Sequence, residues 1–296
     1  MRIGLLGTGH WAAHTHARAL AGHPGAELAG VWGRRPEAVA ALTERYGCPG
    51  YADVDALLAD CDAVAVALPP DVQAPLAVRA AEAGRHLLLD KPLATTVPGA
   101  RAVAEAAARS GVRSVVFFTL RFAESSARWI AEQSAAGGWV TGRADWYSPV
   151  FGGADSPYTA SPWRREKGAL WDVGPHALSL LLPVLGDVAP EDVTAARGPG
   201  DTVHLLLRHA GGASSSVTVS HSVPPAAAGV VAELRGAAGV VAVPERDEPA
   251  HAAYARAVDA LLSGEPHPCD AAFALRVTEL LAAAEQRLPA ATATAP

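Results

Sequence analysis

Ile3-Gly4-Leu5-Leu6-Gly7-Thr8-Gly9-His10-Trp11-Ala12 stands at residues 3–12. Residues 3–6 form a short apolar run of the kind that makes a buried strand, and residues 13–21 carry a helical pattern. Between them lies G-x-G-x-x-A in the context that motif needs. The first glycine makes the tight turn, the second lets main chain approach a pyrophosphate, and a small residue at Ala12 lets helix and strand pack closely. Helix N-terminal N–H groups then face the phosphates. Gly7, Thr8, Gly9, His10, Trp11 and Ala12 are therefore candidate cofactor-binding residues.

The same alternation runs on to about residue 120. Strands are expected at 28–32, 63–68, 86–89 and 114–119, with helices at 36–46, 54–58, 73–83 and 97–109. Near-continuous apolar strands separated by helices predict a parallel sheet covered on both faces, doubly wound in the Rossmann manner. Leu68 and Pro69, at the end of the 63–68 strand, join the cofactor candidates because ligands of such sheets lie beyond the carboxyl ends of the strands.

An NAD enzyme places an acid roughly 20 residues past the glycines, against the ribose 2′-hydroxyl. Here the chain reads Val31-Trp32-Gly33-Arg34-Arg35. No acid is present at Gly33 or Arg34, and two guanidiniums stand where they can fork onto a 2′-phosphate. The reading favours NADP(H), with NAD(H) as the alternative in which Arg34 and Arg35 are solvated loop charges. His10, His14 and His16 have no cysteine or carboxylate beside them to complete a metal site. They are read as cofactor or cleft residues, or as surface.

Two further stretches carry chemistry. The 86–89 strand runs into Asp90-Lys91-Pro92, which puts the Lys91 ammonium at a strand end, where it can polarise a carbonyl oxygen and hydrogen-bond a nicotinamide ribose. Gly168-x-x-x-Asp172-x-Gly174-x-His176 precedes an apolar run through Leu185. Pro175 belongs in a first turn, so a helix is expected to start at about Asp172, with Asp172 and His176 one turn apart on one face. A carboxylate beside an imidazole is a proton-transfer pair; the alternative is a helix cap and a half-buried histidine.

Together with Arg121-Phe122 and Trp163-Arg164, these motifs resemble the glucose–fructose oxidoreductase, inositol dehydrogenase and MocA (Gfo/Idh/MocA) family, in order and over essentially the whole chain. The resemblance implies a nicotinamide-binding domain followed by an α/β domain with a large open sheet. It further implies that Lys91 is the family's lysine and that Asp172 and His176 handle the substrate proton. The family more often has Glu where this chain has Asp90, and the chain is short for the family, with a spare region after Val223.

The expected division is 1–120 for the dinucleotide-binding domain and 121–296 for a substrate-binding and oligomerisation domain. In the second part, strands at 140–150, 203–207, 215–220, 230–234 and 240–243 follow one another without helices between most of them, which predicts a largely antiparallel sheet. Helices at 252–262 and 271–286 are expected to pack on it, and the tail from residue 289 to fray. The aromatic and basic segment 146–171 is read either as a loop walling the substrate or as packing into the sheet or a subunit contact. Tyr158, Trp163 and Arg164 are the ligand contacts it supplies, beside Asp172 and His176; Arg121, just past the last strand of the first domain, is a further cleft candidate.

The chain has 296 residues, 50% hydrophobic and 18% charged, with 24 Lys+Arg against 30 Asp+Glu. This is globular composition, and the net charge of −6 argues against a polyanionic partner such as nucleic acid. No stretch is expected to reach transmembrane length. Cys48, Cys61 and Cys269 show no metal or disulfide spacing and are read as buried small residues of a cytoplasmic protein. The expected activity is hydride transfer between NADP(H) and a carbinol or carbonyl carbon of a sugar, cyclitol or related small molecule, by a homodimer or homotetramer. A hydrolase or lyase that oxidises its substrate transiently on bound nucleotide ranks second, and a non-catalytic nucleotide sensor third.

Overall fold

The computed structural model describes residues 1–153 and 155–289; the rest of the expected frayed tail lies outside the described residues. The strands are β1 (Arg2–Leu6), β2 (Glu27–Trp32), β3 (Gly50–Tyr51), β4 (Ala63–Val66), β5 (His86–Asp90), β6 (Ser114–Phe117), β7 (Trp139–Tyr147), β8 (Val188–Arg197), β9 (Val203–His209), β10 (Ser214–Ser220), β11 (Gly229–Gly236) and β12 (Gly239–Ala242). The helices are α1 (Ala17–Gly22), α2 (Pro36–Tyr46), α3 (Val54–Ala59), α4 (Pro70–Glu82), α5 (Val97–Arg109), α6 (Thr119–Phe122), α7 (Glu124–Ala136), α8 (Pro162–Asp172), α9 (Gly174–Leu185), α10 (Ala250–Leu262) and α11 (Ala271–Arg287). Two compact units result, Met1–Arg128 with Glu245–Thr278, and Trp129–Pro244 with the remainder of the C-terminal segment.

The first unit is built on a six-stranded sheet of order β3-β2-β1-β4-β5-β6 in which every pairing is parallel. The central strands β1, β4 and β5 are almost wholly buried, as expected when helices cover both faces. Local chemistry sets the helix ends. Pro36 opens α2 and Gly47, with φ of 64°, closes it; the Thr96 side chain accepts from Gly99 N at the start of α5. A π-helical turn, Ala12–His16, precedes α1 where a regular helix is expected. The sequence pattern also passes over β3, whose two residues are too few to show a period.

α10 corrects an expectation. Its buried stripe, Ala253, Tyr254, Ala257, Val258 and Leu261, packs on α1, α6, β5 and β6 of the first unit and not on the second sheet. An alanine-rich amphipathic stripe fits any apolar floor, so periodicity identifies the buried face but not its partner.

The second unit carries a six-stranded sheet of order β12-β11-β7-β10-β9-β8. All its pairings are antiparallel except β7 with β10, which run parallel. β8 falls where no strand is expected, because its burial does not alternate cleanly. α9 lies on β7 and β10 with nearly every residue buried. Within the helical run Pro162–Leu185 one 18-residue window has a mean hydropathy of 1.2, long and apolar enough by composition to cross a membrane, but 83% of it is buried inside the fold, as in a core helix. Cys61 and Cys269 are buried as expected, whereas Cys48 is half-exposed.

Candidate active site

The glycine turn lies at the carboxyl end of β1, beside the ends of β2 and β4, where the strand order reverses. Gly7 donates to Trp32 O at 2.8 Å with φ of 132°. A Cβ there would stand 2.4 Å from the Ala67 carbonyl oxygen, so only glycine fits. Over Gly9 a Cβ would meet no heavy atom within 4 Å. That open space beside a helix start suits close approach of a pyrophosphate. Thr8 packs against Gly33, and Leu68 and Pro69 follow β4 on the same edge of the sheet. The Arg34 and Arg35 side chains are exposed, and neither makes a hydrogen bond or ion pair among the described residues. His10 and His14 are exposed and stacked on each other, 4.1 Å between centroids.

Asp90, Lys91 and Pro92 form the turn after β5, with a cis Lys91-Pro92 peptide. The sequence reading missed what holds it. Gln73, on α4 and 1% exposed, donates from Nε2 to the carbonyls of Asp90 (2.7 Å), Pro92 (3.1 Å) and Leu93 (3.2 Å), and accepts from Asp90 N at 2.9 Å. The Asp90 side chain accepts from Lys91 N at 2.9 Å. Behind the turn, His16 is fully buried, its ring 4.1 Å from that of Tyr254 and its Nε2 3.8 Å from Asp90 Oδ2. Burial pushes the His16 pKa down to about 3, opposed by the Trp11 carbonyl. Burial likewise raises the Tyr254 phenol well above its usual value. His16 is thus neither a cofactor nor a surface residue, but neutral core.

In the second unit, Gly168 interrupts α8 with φ of 63° and ψ of −166°, a conformation essentially restricted to glycine. Ala169 N then donates to Asp201 Oδ2 at 3.0 Å, and one helical turn delivers Asp172. The helix expected to start at Asp172 starts at Gly174 instead; Asp172 closes α8, and Val173 caps α9 without a side-chain bond. The residues before it, expected as loop, are helical from Pro162, because Pro162 is tolerated in a first turn.

Asp172, 6% exposed, receives Arg164 Nε at 2.7 Å and sits 3.1 Å from His221 Nε2, both on Oδ2. The Arg164 guanidinium lies between the rings of Tyr158 (4.6 Å) and Trp163 (4.5 Å). His176, also 6% exposed, stacks on Trp146 with 4.8 Å between centroids and 17° between planes. The packing reading of the 146–171 segment applies to Trp171. Trp146, Tyr158 and Trp163 surround the charged cluster, while Trp171 is fully buried and donates to Glu285 Oε1 at 3.0 Å. Arg121 belongs to the first unit, over the Phe273 ring at 5.6 Å and beside Cys269, whose thiol burial pushes up to about 11.

His221 and Asp201 are the residues of this cluster that the sequence reading missed. Each lies in a polar stretch next to a strand, 49 and 32 residues from its partner on α8, with no local pattern to mark it.

Comparison with known proteins agrees with this architecture. Residues 1–118 match a family described as an oxidoreductase family with an NAD-binding Rossmann fold, and residues 127–242 match the GFO/IDH/MocA C-terminal domain. The dTDP-3,4-didehydro-2,6-dideoxy-alpha-D-glucose 3-reductase of Streptomyces violaceoruber is 30% identical over 63% of this chain and 55% of its own length. Inositol 2-dehydrogenase of Rhizobium meliloti is 27% identical over 74% of this chain and 68% of its own. The chain thus spans little more than half to two thirds of these relatives. Among solved structures, the WlbA dehydrogenase of Bordetella pertussis in complex with NADH and UDP-GlcNAcA is 26% identical, with a TM-score of 0.83 over 97% of this chain and 96% of that one. With both of its domain types matched in order, the chain belongs to the Gfo/Idh/MocA family of oxidoreductases.

Proposed function

We propose that this protein is an NADP(H)-dependent oxidoreductase acting on a carbinol or carbonyl carbon of a sugar, cyclitol or related small molecule. The observation that carries the reading is the Gly7 turn, closed to any side chain, with open space over Gly9. It supports a dinucleotide held by Gly7, Thr8, Gly9, His10, Trp11 and Ala12, with Leu68, Pro69 and the Asp90, Lys91, Pro92 turn along the same sheet edge. When bound, the nicotinamide supplies the hydride donor or acceptor.

His176 takes or gives the hydroxyl proton, Asp172 orients the imidazole and binds a neighbouring hydroxyl, and Lys91 stabilises negative charge developing on the reacting oxygen. Arg121, Tyr158, Trp163 and Arg164 are the further substrate contacts. The names of the relatives, a nucleotide-sugar reductase and an inositol dehydrogenase, support a polyhydroxylated substrate. The preference for NADP(H) rests on Arg34 and Arg35 after β2, whose side chains are exposed and have no partner among the described residues.

The proposal also assigns the chain to a homo-oligomer. Leu206, Val231 and Val240 are 61%, 44% and 53% exposed on one face of the second sheet, opposite the face that α9 covers, and a second copy is the occupant that hides them. Sedimentation should give a dimer or tetramer; a monomer overturns this part.

The test is nucleotide binding followed by turnover. Fluorescence titration should show NADPH binding, and a panel including myo-inositol and levoglucosan should show NADP+ reduction. His176→Ala should lower turnover roughly 10²–10⁴-fold with NADPH binding intact. Unchanged turnover removes His176 from the reaction, and no nucleotide binding removes the reading altogether.

A further inference from the structure

The His221 ring is 1% exposed and lies at the end of β10, edge-on to Phe151 with 5.7 Å between centroids. Its backbone N donates to Asp201 Oδ1 at 2.8 Å, and its Nε2 faces Asp172 Oδ2 at 3.1 Å. Its Nδ1 is buried and has no hydrogen-bond partner among the described residues. A proton on Nδ1 would be a buried donor without an acceptor, while a proton on Nε2 meets a carboxylate. The tautomer that fits carries its proton on Nε2.

We propose that His221 is a positioning residue of the catalytic cluster, donating from Nε2 to Asp172 so that this carboxylate stays ionised and fixed in orientation beside His176. The inference rests on the reading of Asp172 and His176 as the proton-handling pair. Arg164 alone would supply charge, but its donor meets the same oxygen, Oδ2, from α8, whereas His221 approaches from the sheet. Two donors from two elements fix the carboxylate plane, and neither uses Oδ1. Hydrogen bonds to the charged form of a carboxylate also favour that form.

The surrounding charged and titratable groups are Arg164 and Lys167 on α8, His176 on α9, Asp201 between β8 and β9, and Glu285 on α11. Lys167 pairs with Glu285 at 3.1 Å, and Asp201 is engaged by Ala169 N, His221 N and the hydroxyls of Ser220 and Ser222. His221 and Arg164 both meet Asp172 at Oδ2.

The experiment has two arms. The first needs no substrate. In [15N]-histidine-labelled protein, the His221 ring, assigned by its loss in His221→Gln, should show the Nε2-protonated tautomer at neutral pH and should shift in Asp172→Asn. An Nδ1-protonated tautomer, or a ring indifferent to Asp172→Asn, overturns the proposal.

The second arm is the pH profile of kcat/KM for the best oxidised alcohol of the panel. His221→Leu should move the acid limb up by about one pH unit, and His221→Gln, whose amide can reach the same oxygen, should restore most of it. Equal profiles for wild type and His221→Leu, or no difference between Leu and Gln, overturn the proposal. Should His221→Leu fail to fold, the labelled wild-type protein still decides. His176→Ala separates the two readings: if it leaves turnover intact, the proton-handling pair fails; if it removes turnover while His221→Leu leaves the acid limb in place, only His221 fails.

Discussion

The Asp90, Lys91, Pro92 turn and the Asp172 turn each present a charged side chain, yet they are held in opposite ways. The first is gripped through its main chain by one neutral, buried amide, Gln73. The second is gripped by charge: Asp201 takes the main chain of Ala169 and His221, while Arg164 and His221 take the carboxylate itself. A neutral clamp gives a geometry that does not change with pH or salt. A charged clamp ties geometry to protonation, which suits a group that handles protons.

Gln73→Leu should give the largest loss of stability, about 2–4 kcal/mol in urea unfolding, because it leaves Asp90 N and three carbonyls without their fully buried partner. That loss should be the same at pH 6 and pH 8; a strong pH dependence would erase the contrast between the two turns.

Next in size is the acid sensitivity of the first unit. Burial holds the His16 pKa at about 3 in the folded protein against an ordinary 6.5, so the unfolded chain binds the proton more readily. Stability is therefore full above pH 6.5 and falls as pH drops from 6.5 towards 3, by about 2 kcal/mol at pH 5. His16→Leu should flatten this slope; an unchanged slope would place the acid sensitivity elsewhere.

Asp201→Ala should cost about 1–2 kcal/mol, less than Gln73→Leu because Asp201 is only partly buried and water can replace it. Asp201→Asn, which keeps an acceptor, should cost less. If Asp201→Asn, which lacks the charge, unfolds like the wild type, charge is not what holds the Asp172 turn. The smallest effect expected is on cofactor choice. Arg34→Ala with Arg35→Ala should weaken NADPH binding roughly tenfold relative to NADH, about 1.4 kcal/mol. Equal weakening of both would leave the two arginines as solvated loop charges.

Much of the first unit was legible. The alternation of apolar strands and helices gave its parallel sheet, and Gly7, Gly9 and Ala12 gave the turn at β1, because these signals lie within a few residues of one another. In the second unit the same pattern marks most of the strands but not β8, whose burial is irregular, and it reads α8 as loop because of the prolines and glycines in and before it. It placed α10 on the wrong sheet, since a helical stripe of alanines specifies no partner.

By itself the sequence determined what is local: the βα alternation, the glycine turn, the lysine at a strand end and the presence of Asp172 and His176. Tertiary structure decided what those groups meet. Gln73 reaches Asp90 across 17 residues, Asp201 reaches Ala169 across 32, and His221 reaches Asp172 across 49. Such pairs follow from how helices and strands stack, and stacking is driven by apolar area, which has no direction and leaves no periodic mark on the polar residues it brings together.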